Sequence, residues 1–487
     1  MNFQINQRGL MKKYSNSLII KIFVLIISTS IFFACSSNST SPAKSSAKQI
    51  LSFVFNDFTT PVVGIIDQNA KTINLKVPFG TNLTNLVPTI TISDKAILSP
   101  ATDVAQNFTN AVIYTVTAED GSTASYTVTV TYDTSNPVTL SGKMSTNTTL
   151  KDLGLPIDYI IDGAFYVDGN ALLTIEPGTT IAFTSVDSYF QVNENAGISA
   201  VGTTDKPIIF IGPVNNPNKG SWDGIYIESN RADNKFSYVN IINGGSTTSG
   251  AALNIQSGAK LAMSNCKISG SLNDGLYLES NAVLSQFDNN TIEICDAYPI
   301  SCDNLTQTAN FNITDTLSNN TQPSVEVRSR STFSKNFTLN KIGIPYDVNQ
   351  IYVTGGTLTI SDGVTLRFQN SGYLTVKDGG MLNATGTTFT STTPIAGFWY
   401  SIEINNQYNN ILQNCIIEYC GMDDEGGIYT PDGKVSLTNV AIMHSSSYGI
   451  VFSSKNNLII HSGVTFSDCA KGNVFDYSKN EILNDLP

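Results

Sequence analysis

From residue 49 to about residue 135, apolar and polar residues alternate with a period of two, which is typical of half-buried strands. The clearest unit is Tyr114–Ala118, a turn at Asp120–Gly121 and then Tyr126–Tyr132, which predicts a β-hairpin. Other alternating segments precede this hairpin: Leu51–Phe58, Val62–Ile66 and Thr72–Val77. Short strands at this spacing predict an immunoglobulin-like β-sandwich over residues 49–135.

After about residue 138 the period becomes longer. Short alternating strands begin at Gly224, Ala252, Gly275 and Pro299, about 23 to 28 residues apart. Each strand is followed by a polar turn, and an asparagine recurs three residues before an isoleucine, at Asn265, Asn414 and Asn439. This pattern predicts a parallel β-helix, in which stacked coils bury an apolar face that one coil cannot bury alone. A β-propeller or serial sandwiches are alternatives, but neither favours coils of this length with a recurring turn asparagine.

The second part of the chain also contains an internal duplication. The segment LKDLGLP at residues 150–156 reappears as LNKIGIP at residues 339–345. Likewise, LTIEPGTTIAF at residues 173–183 reappears as LTISDGVTLRF at residues 358–368. We therefore predict an all-β chain with two tandem β-helix modules, at about residues 138–320 and 325–487.

Two of these patterns resemble known families. LTIEPGTTIAF, with LPIDYII and FYVDG upstream and WDGIYIES downstream, resembles the right-handed parallel β-helix repeats of bacterial surface proteins and polysaccharide lyases, the pectate-lyase-like superfamily. The resemblance covers roughly residues 140–480 and implies a fold rather than a particular chemistry. YTVTAEDGSTASYTVTV resembles a sandwich module found at the front of envelope lipoproteins. We interpret that module as a spacer, with a glycan-binding role as the alternative.

The N-terminus has the features of an export signal. Lys12 and Lys13 precede an apolar run that extends from Leu18 to Ala34, and Cys35 follows directly. This arrangement resembles a bacterial lipoprotein signal, which implies cleavage of residues 1–34, lipidation of Cys35 and a flexible tether over residues 35–48. An ordinary secretory signal with an incidental cysteine is the alternative. We expect an outer-membrane lipoprotein that faces either the periplasm or the cell exterior.

Charge and cysteine content exclude some classes of function. The 487 residues carry a net charge of −12, and removal of residues 1–34 leaves 23 basic against 39 acidic residues, or −16. So acidic a body is not expected to bind nucleic acid, although it would attract cations such as Ca²⁺. No CxxC motif is present, and we expect the six cysteines after Cys35 to be buried thiols inside the stack. We expect a monomer that requires no cofactor.

The predicted coils place polar residues in rows along the first module. If Ile225, Leu253, Leu276 and Ile300 point inward, their neighbours point outward and stack about 4.8 Å apart from coil to coil. One predicted column contains Tyr226, Asn254, Tyr277 and Ser301, and the next contains Glu228, Gln256, Glu279 and Asp303. Such a strip of carboxylates, amides and tyrosines could bind a hydroxyl-rich polymer, with or without Ca²⁺. The alternative is an ordinary solvated sheet face. The second module presents Glu403, Tyr429, Val451 and Phe475, with no acidic ladder.

A second candidate is an acidic, glycine-rich loop in the second module. It contains Asp423, Asp424 and Glu425, and Asp432 follows shortly afterwards. Clustered carboxylates with glycines can wrap a hard cation, so this loop is a candidate Ca²⁺ site. The spacing differs from that of an EF-hand, and an acidic turn is the alternative.

No catalytic constellation is evident in the sequence. Arg328 and Arg330 form the closest arginine pair, but we expect them at the seam between the modules, away from the acidic column. His444 and His461 have no partner that the sequence reveals. Trp222 and Trp399 occupy matching positions, and we interpret them as packing residues, with sugar stacking as the alternative. The leading hypothesis is a non-enzymatic envelope protein that binds glycans or other surface polymers. A polysaccharide lyase or hydrolase acting on acidic glycans and a purely structural stalk are the alternatives.

Overall fold

The computed structural model describes residues 43–58, 60–77, 81–133, 137–214, 216–248 and 250–487. The predicted signal peptide and the candidate lipidation residue Cys35 lie outside the described residues. In the described part of the chain, no helix is long and apolar enough to cross a membrane.

The N-terminal unit is a β-sandwich, as the alternating pattern predicts. One sheet has three strands, and the facing sheet has five. The core between them is rich in aromatic side chains that meet edge to face, including Phe53, Phe108 and Tyr114. The predicted hairpin is confirmed, with Asp120 Oδ1 accepting hydrogen bonds from Ser122 in the turn. The strands are Ile50–Phe55, Val62–Val63, Ile65–Asp67, Thr72–Val77, Pro88–Ile92, Ile97–Ser99, Val112–Thr117 and Thr123–Tyr132, with a 3-10 turn at Leu83–Asn85.

The rest of the described chain is a β-solenoid of about 14 turns, which confirms the predicted fold class. Its strands pair in parallel from coil to coil along three faces, and four long strands run across the corners between faces. The long strands are Val138–Met144, Tyr159–Val167, Tyr346–Ile360 and Thr365–Thr385. We number the faces 1, 2 and 3 in the order in which each coil visits them.

The shorter strands are assigned to the faces as follows. Face 1 contains Tyr189–Val192, Gly224–Ile227, Ala251–Ile255, Asp274–Leu278, Ile300–Cys302, Val325–Val327, Thr388–Ser391, Ile416–Glu418, Ala441–Met443 and Thr465–Ser467. Face 2 contains Thr148–Leu150, Leu172–Ile175, Gly197–Val201, Lys235–Ser237, Lys260–Ser264, Val283–Asp288, Ser331–Phe333, Ile402–Asn405, Ile428–Thr430, Tyr448–Phe452, Gly472–Asp476 and Glu481–Leu483. Face 3 contains Thr180–Phe183, Ile208–Ile211, Val239–Ile242, Lys267–Ser269, Thr291–Glu293, Phe337–Leu339, Asn409–Gln413, Lys434–Thr438 and Leu458–Ser462. Short 3-10 turns lie at Leu305–Thr308, Met422–Asp424 and Lys455–Asn457.

One continuous apolar core fills the solenoid, and it extends from Leu150 to Val474 through both predicted modules. Trp222 and Trp399 are fully buried, and each lies flat against a phenylalanine, at 3.8 Å for Phe183 and 4.3 Å for Phe368. Their packing role is therefore confirmed, and a sugar platform at these indoles is excluded by burial. Of the six cysteines after residue 35, five are buried and one is half-buried, and all six are free thiols.

Asparagine side chains link neighbouring coils, either through backbone groups or through one another. Asn410 accepts a hydrogen bond from the backbone N–H of Leu382 at 2.8 Å and donates to the Lys434 carbonyl at 2.9 Å. It therefore satisfies backbone groups in the coil before it and in the coil after it. The predicted Asn414 and Asn439 instead form left-handed corners, with φ of 52° and 51°, and bond to each other through their side chains. Asparagine tolerates this conformation better than most residues.

The two copies of the repeat are rotated by one face relative to each other. Tyr159 in the first copy pairs with Ile181 on face 3. Its equivalent, Tyr346, pairs with Val325 and Leu366 on face 1. The equivalence is supported by the tyrosine hydroxyls, since Tyr159 bonds to the carbonyl of residue 151 and Tyr346 to that of residue 340, which match in the duplication. Equivalent surface residues of the two copies therefore point in different directions.

The final solenoid strand on face 2 is covered by a strand that runs the other way. Gly472–Asp476 pairs with Glu481–Leu483 in antiparallel register, with Val474 opposite Leu483. All other strand pairs of the described solenoid are parallel.

Candidate functional site

The predicted polar columns of the first copy are in the predicted register. Tyr226 pairs with Asn254, Asn254 with Tyr277, and Tyr277 with Ser301 on face 1. The intervening apolar residues point inward and are fully buried. The second column, Glu228, Gln256, Glu279 and Asp303, continues each strand, because each backbone N–H donates to the preceding coil. Alternation alone was sufficient to place these residues.

Two members of that strip are not available to a ligand. Asn254 is 3 % exposed and donates to the Ala251 carbonyl, and Ser301 is fully buried with its hydroxyl donating to Asp274 at 2.5 Å. The prediction that these two side chains face solvent is therefore wrong. Their polar groups turn back onto the coil, where local hydrogen bonds satisfy them.

Arg328 lies beside the acidic column, which corrects the expectation that it lies away from it, whereas Arg330 lies over Tyr352. The Arg328 guanidinium lies 4.2 Å from the ring centroid of Tyr277. Its Nη2 is 2.5 Å from Asp274 Oδ2, and its Nε is 3.0 Å from Glu326 Oε2. The Tyr277 hydroxyl in turn donates to Asp303 at 2.9 Å. Because these groups already bond to one another, the strip is largely self-satisfied.

The candidate cation loop does not gather its carboxylates. Asp423 accepts from the Tyr400 hydroxyl at 3.1 Å, Glu425 accepts from the Ser401 hydroxyl at 2.8 Å, and Asp424 pairs with Lys471. In the described part of the chain, no group of three or more His, Cys, Asp or Glu side chains could hold a metal ion. The structure therefore does not bring Asp423, Asp424, Glu425 and Asp432 together as one ligand set.

The structure shows a site on face 2 of the second copy that our sequence reasoning missed. A cleft of about 590 Å³ lies over three tyrosines of successive coils, Tyr352, Tyr373 and Tyr400, which we call the upper ladder. Their rings meet edge to face at 5.5 Å and 6.2 Å, and the hydroxyls of Tyr352 and Tyr373 are 2.5 Å apart. The three side chains are half-buried, so part of each ring faces the cleft. Outward tyrosines recurring at the coil period in both copies were the signal that could have revealed it.

Polar groups surround the upper ladder. Glu403 accepts from Thr375 at 2.8 Å and from the Asn405 amide at 2.6 Å. The Asn405 Oδ1 is buried and has no hydrogen-bond partner in the described structure, so it is an acceptor that a ligand hydroxyl could satisfy. Glu425 also lines the cleft, and burial raises the pKa of its carboxyl, with the nearby charges of Glu403 and Asp423 adding to the effect.

Cationic side chains lie over one end of the ladder. The Arg330 guanidinium lies 5.2 Å from the Tyr352 ring centroid, and the Lys377 ammonium lies 5.3 Å from it. Burial and the hydrogen bond shared with Tyr352 raise the pKa of Tyr373 to about 12, so its hydroxyl stays protonated at neutral pH. The cleft therefore offers aromatic surface together with hydrogen-bond donors and acceptors of both charge signs.

One histidine has a partner that the sequence did not reveal. The His444 ring stacks on Tyr419 at 5.1 Å, and its Nδ1 lies 3.4 Å from Asp468 Oδ2. These residues follow the strands of face 1, where successive coils bring them together. They do not line the cleft.

Comparisons with known proteins agree with the two-part architecture. Residues 50–130 match the family described as "SGBP, N-terminal", and residues 142–239 match the family described as "Pectate-lyase like beta helix domain". A search of curated proteins finds no match. A solved structure of a candidate glycoside hydrolase from Bacteroides thetaiotaomicron is 28 % identical over 23 % of this chain and 30 % of that one, with a TM-score of 0.17, too low to inform fold or function. The chain is thus similar to SGBP N-terminal domains over residues 50–130 and to pectate-lyase-like β-helices over residues 142–239.

Proposed function

We propose that this protein is a cell-envelope glycan-binding lipoprotein, anchored through Cys35, whose solenoid presents the tyrosine cleft to a polysaccharide. The observation that carries the proposal is the upper ladder, Tyr352, Tyr373 and Tyr400, with Glu403, Asn405 and Lys377 beside it. The match of residues 50–130 also supports this proposal, because SGBP N-terminal domains are glycan-binding-like.

The chemistry of the cleft fits a sugar polymer. Sugar rings present C–H faces that pack on aromatic rings, and hydroxyls that both donate and accept hydrogen bonds. Carboxylate and amide oxygens at Glu403 and Asn405 accept from such hydroxyls, and the Lys377 ammonium donates to them. The ladder repeats from coil to coil at about 4.8 Å. A linear polymer can therefore engage several coils, whereas a compact ligand would occupy only one or two.

A hydrolase is the second candidate, favoured by one observation in the same cleft. Glu425 and Glu403 both line it, and burial raises the pKa of Glu425. Two carboxyl groups, one of which donates a proton to the leaving group, are the arrangement that glycoside hydrolysis requires. Under this alternative, Glu425 is the proton donor and Glu403 is the second carboxyl group.

Native gel electrophoresis in soluble polysaccharides tests both candidates. The full-length chain, purified in detergent, is run through xylan, mannan, laminarin or polygalacturonate. We expect retardation by at least one polymer and about fivefold weaker retardation after Tyr373→Ala, since an aromatic contact contributes about 1 kcal/mol beyond burial. Tyr408→Ala is the matched control, because Tyr408 is 51 % exposed and lies outside the ladder.

Turnover separates the two candidates. Binding without release of reducing ends or unsaturated uronates, with EDTA or with Ca²⁺, supports the binding protein. Reducing ends that disappear in Glu425→Gln while retardation persists would establish the hydrolase instead. No retardation by any polymer, with an intact fold by circular dichroism, would refute glycan binding at this cleft.

A further inference from the structure

A second tyrosine ladder lies in the first copy of the repeat. Tyr166, Tyr189 and Tyr226 belong to successive coils of face 1, and we call them the lower ladder. Their rings meet edge to face with centroid distances of 5.7 Å and 5.8 Å. All three side chains are half-buried, like those of the upper ladder.

The lower ladder reproduces the polar contacts of the upper ladder. The hydroxyls of Tyr166 and Tyr189 are hydrogen-bonded to each other, as are those of Tyr352 and Tyr373. The last tyrosine of each ladder donates to an aspartate, Tyr226 to Asp223 at 3.0 Å and Tyr400 to Asp423 at 3.1 Å.

A cation also lies over the first ring of each ladder. The Lys143 ammonium lies 5.9 Å from the Tyr166 centroid, as the Arg330 guanidinium lies near that of Tyr352. Amide groups flank the lower ladder, since Gln191 donates to Asn193 at 2.8 Å, and Asn193 donates to Asp168 at 2.9 Å. The two ladders therefore offer the same kinds of groups to a ligand.

The two ladders are completed by residues that are not equivalent in the duplication. Tyr400 directly follows Trp399, whereas the residue that follows Trp222 is Asp223. In the lower ladder, Tyr166 pairs with Gln191, and Gln191 pairs with Tyr226. In the upper ladder, Tyr352 pairs with Thr375, and Thr375 pairs with Glu403. Tyr226 therefore lies at the register position that Glu403 has in the second copy. Packing of the repeat does not by itself require a tyrosine at either position. The shared arrangement is thus a property of the two surfaces rather than of the coil.

We propose that the lower ladder is a second polysaccharide-binding surface, so that one chain binds two polymer segments at once. This proposal rests on the proposed function of the upper cleft and extends it. Because the copies are rotated by one face, the lower ladder lies on face 1 and the upper ladder on face 2. The two bound segments leave the solenoid in different directions, which suits cross-linking of separate chains in a polymer network.

Isothermal titration calorimetry measures how many hexasaccharides one chain binds and with what affinity. The full-length chain in detergent is titrated with a hexasaccharide prepared from the polysaccharide that retards it in the gel. We expect two hexasaccharides per chain, with about fivefold weaker binding at one surface after Tyr189→Ala, at the other after Tyr373→Ala and at both in the double variant. One hexasaccharide per wild-type chain, with Tyr189→Ala leaving its number and affinity unchanged, would overturn the second surface while the first still stands.

A second variant guards against misfolding of Tyr189→Ala. Gln191→Arg places a bulky side chain in the middle of the lower ladder without touching the core. It should block this surface, so that the chain binds one hexasaccharide. Gln286→Arg, at an exposed position on face 2 of the first copy, is the matched control and should leave two. Two hexasaccharides bound by Gln191→Arg with unchanged affinity would likewise overturn the proposal. If no titration of the wild-type chain produced a binding heat, the proposed function itself would be refuted.

Discussion

The carboxyl of Asp315 gives a sharp test of how burial controls the stability of the solenoid. Asp315 is 6 % exposed; its Oδ1 accepts from the Asn290 backbone at 2.8 Å, whereas its Oδ2 has no hydrogen-bond partner. Burial raises the pKa of Asp315 from 3.8 to about 6. A carboxyl with a raised pKa in the folded state stabilises the fold below its unfolded pKa, and that stabilisation is lost as pH rises through the folded pKa.

The size of the effect follows from the pKa difference. About two pKa units correspond to a loss of up to about 3 kcal/mol in the free energy of unfolding between about pH 4 and pH 7. Asp315→Asn keeps the acceptor for Asn290 but places an amide where Oδ2 has no partner, which costs about 1–3 kcal/mol at every pH. The variant should therefore lack this pH-dependent loss, even if its stability at pH 7 resembles that of the wild type.

Urea unfolding of the full-length chain, followed by circular dichroism at four pH values between 4.5 and 7.5, measures this slope. Other groups titrate in both proteins, so the difference between variant and wild type isolates Asp315. Asp187→Asn is the control, because Asp187 is exposed, and it should retain the wild-type slope. Equal slopes in Asp315→Asn and wild type would refute the reasoning from burial.

Three further outcomes are expected. Trp399→Ala should lower the free energy of unfolding by about 3–5 kcal/mol in urea titrations, because it removes the buried stack on Phe368 and leaves a cavity; a loss below 1 kcal/mol would contradict that packing role. A thiol reagent such as DTNB should react slowly with the native chain and fully only after denaturation, since burial raises the pKa of Cys420 to about 12 and even Cys469 is half-buried; rapid reaction of several native thiols would contradict the buried stack. Cys35→Ala should abolish incorporation of radiolabelled palmitate into the protein, whereas unchanged incorporation would exclude lipidation at this residue.

The sequence predicted the architecture because equivalent side chains of stacked coils point inward or outward in the same order. Alternation placed Ile225 and Leu253 inward, and the matched indoles marked equivalent coils. It could not show that Asn254 and Ser301 are buried, because their hydrogen bonds decide that, and hydrogen bonds are not visible in a polarity pattern. Alternation describes which side of a strand a residue takes, not how closely the next coil covers it.

Contacts between distant segments were also beyond the sequence. Arg328 reaches Tyr277 and Asp274 only because the coil that carries it lies next to theirs. The rotation of the second copy could not be read from the duplication either, since a repeated sequence does not specify the face on which the second copy begins. Without that rotation, the two ladders would have been expected on a single face.

The reversed strand at Glu481–Leu483 has a consequence for contacts between neighbouring molecules. A parallel stack ends in a row of backbone N–H and C=O groups that a neighbouring molecule could extend into a fibre. On face 2 that row already bonds to the returning strand, which runs antiparallel to the strands of the stack. Neighbouring molecules can therefore approach this edge without extending the parallel stack of face 2.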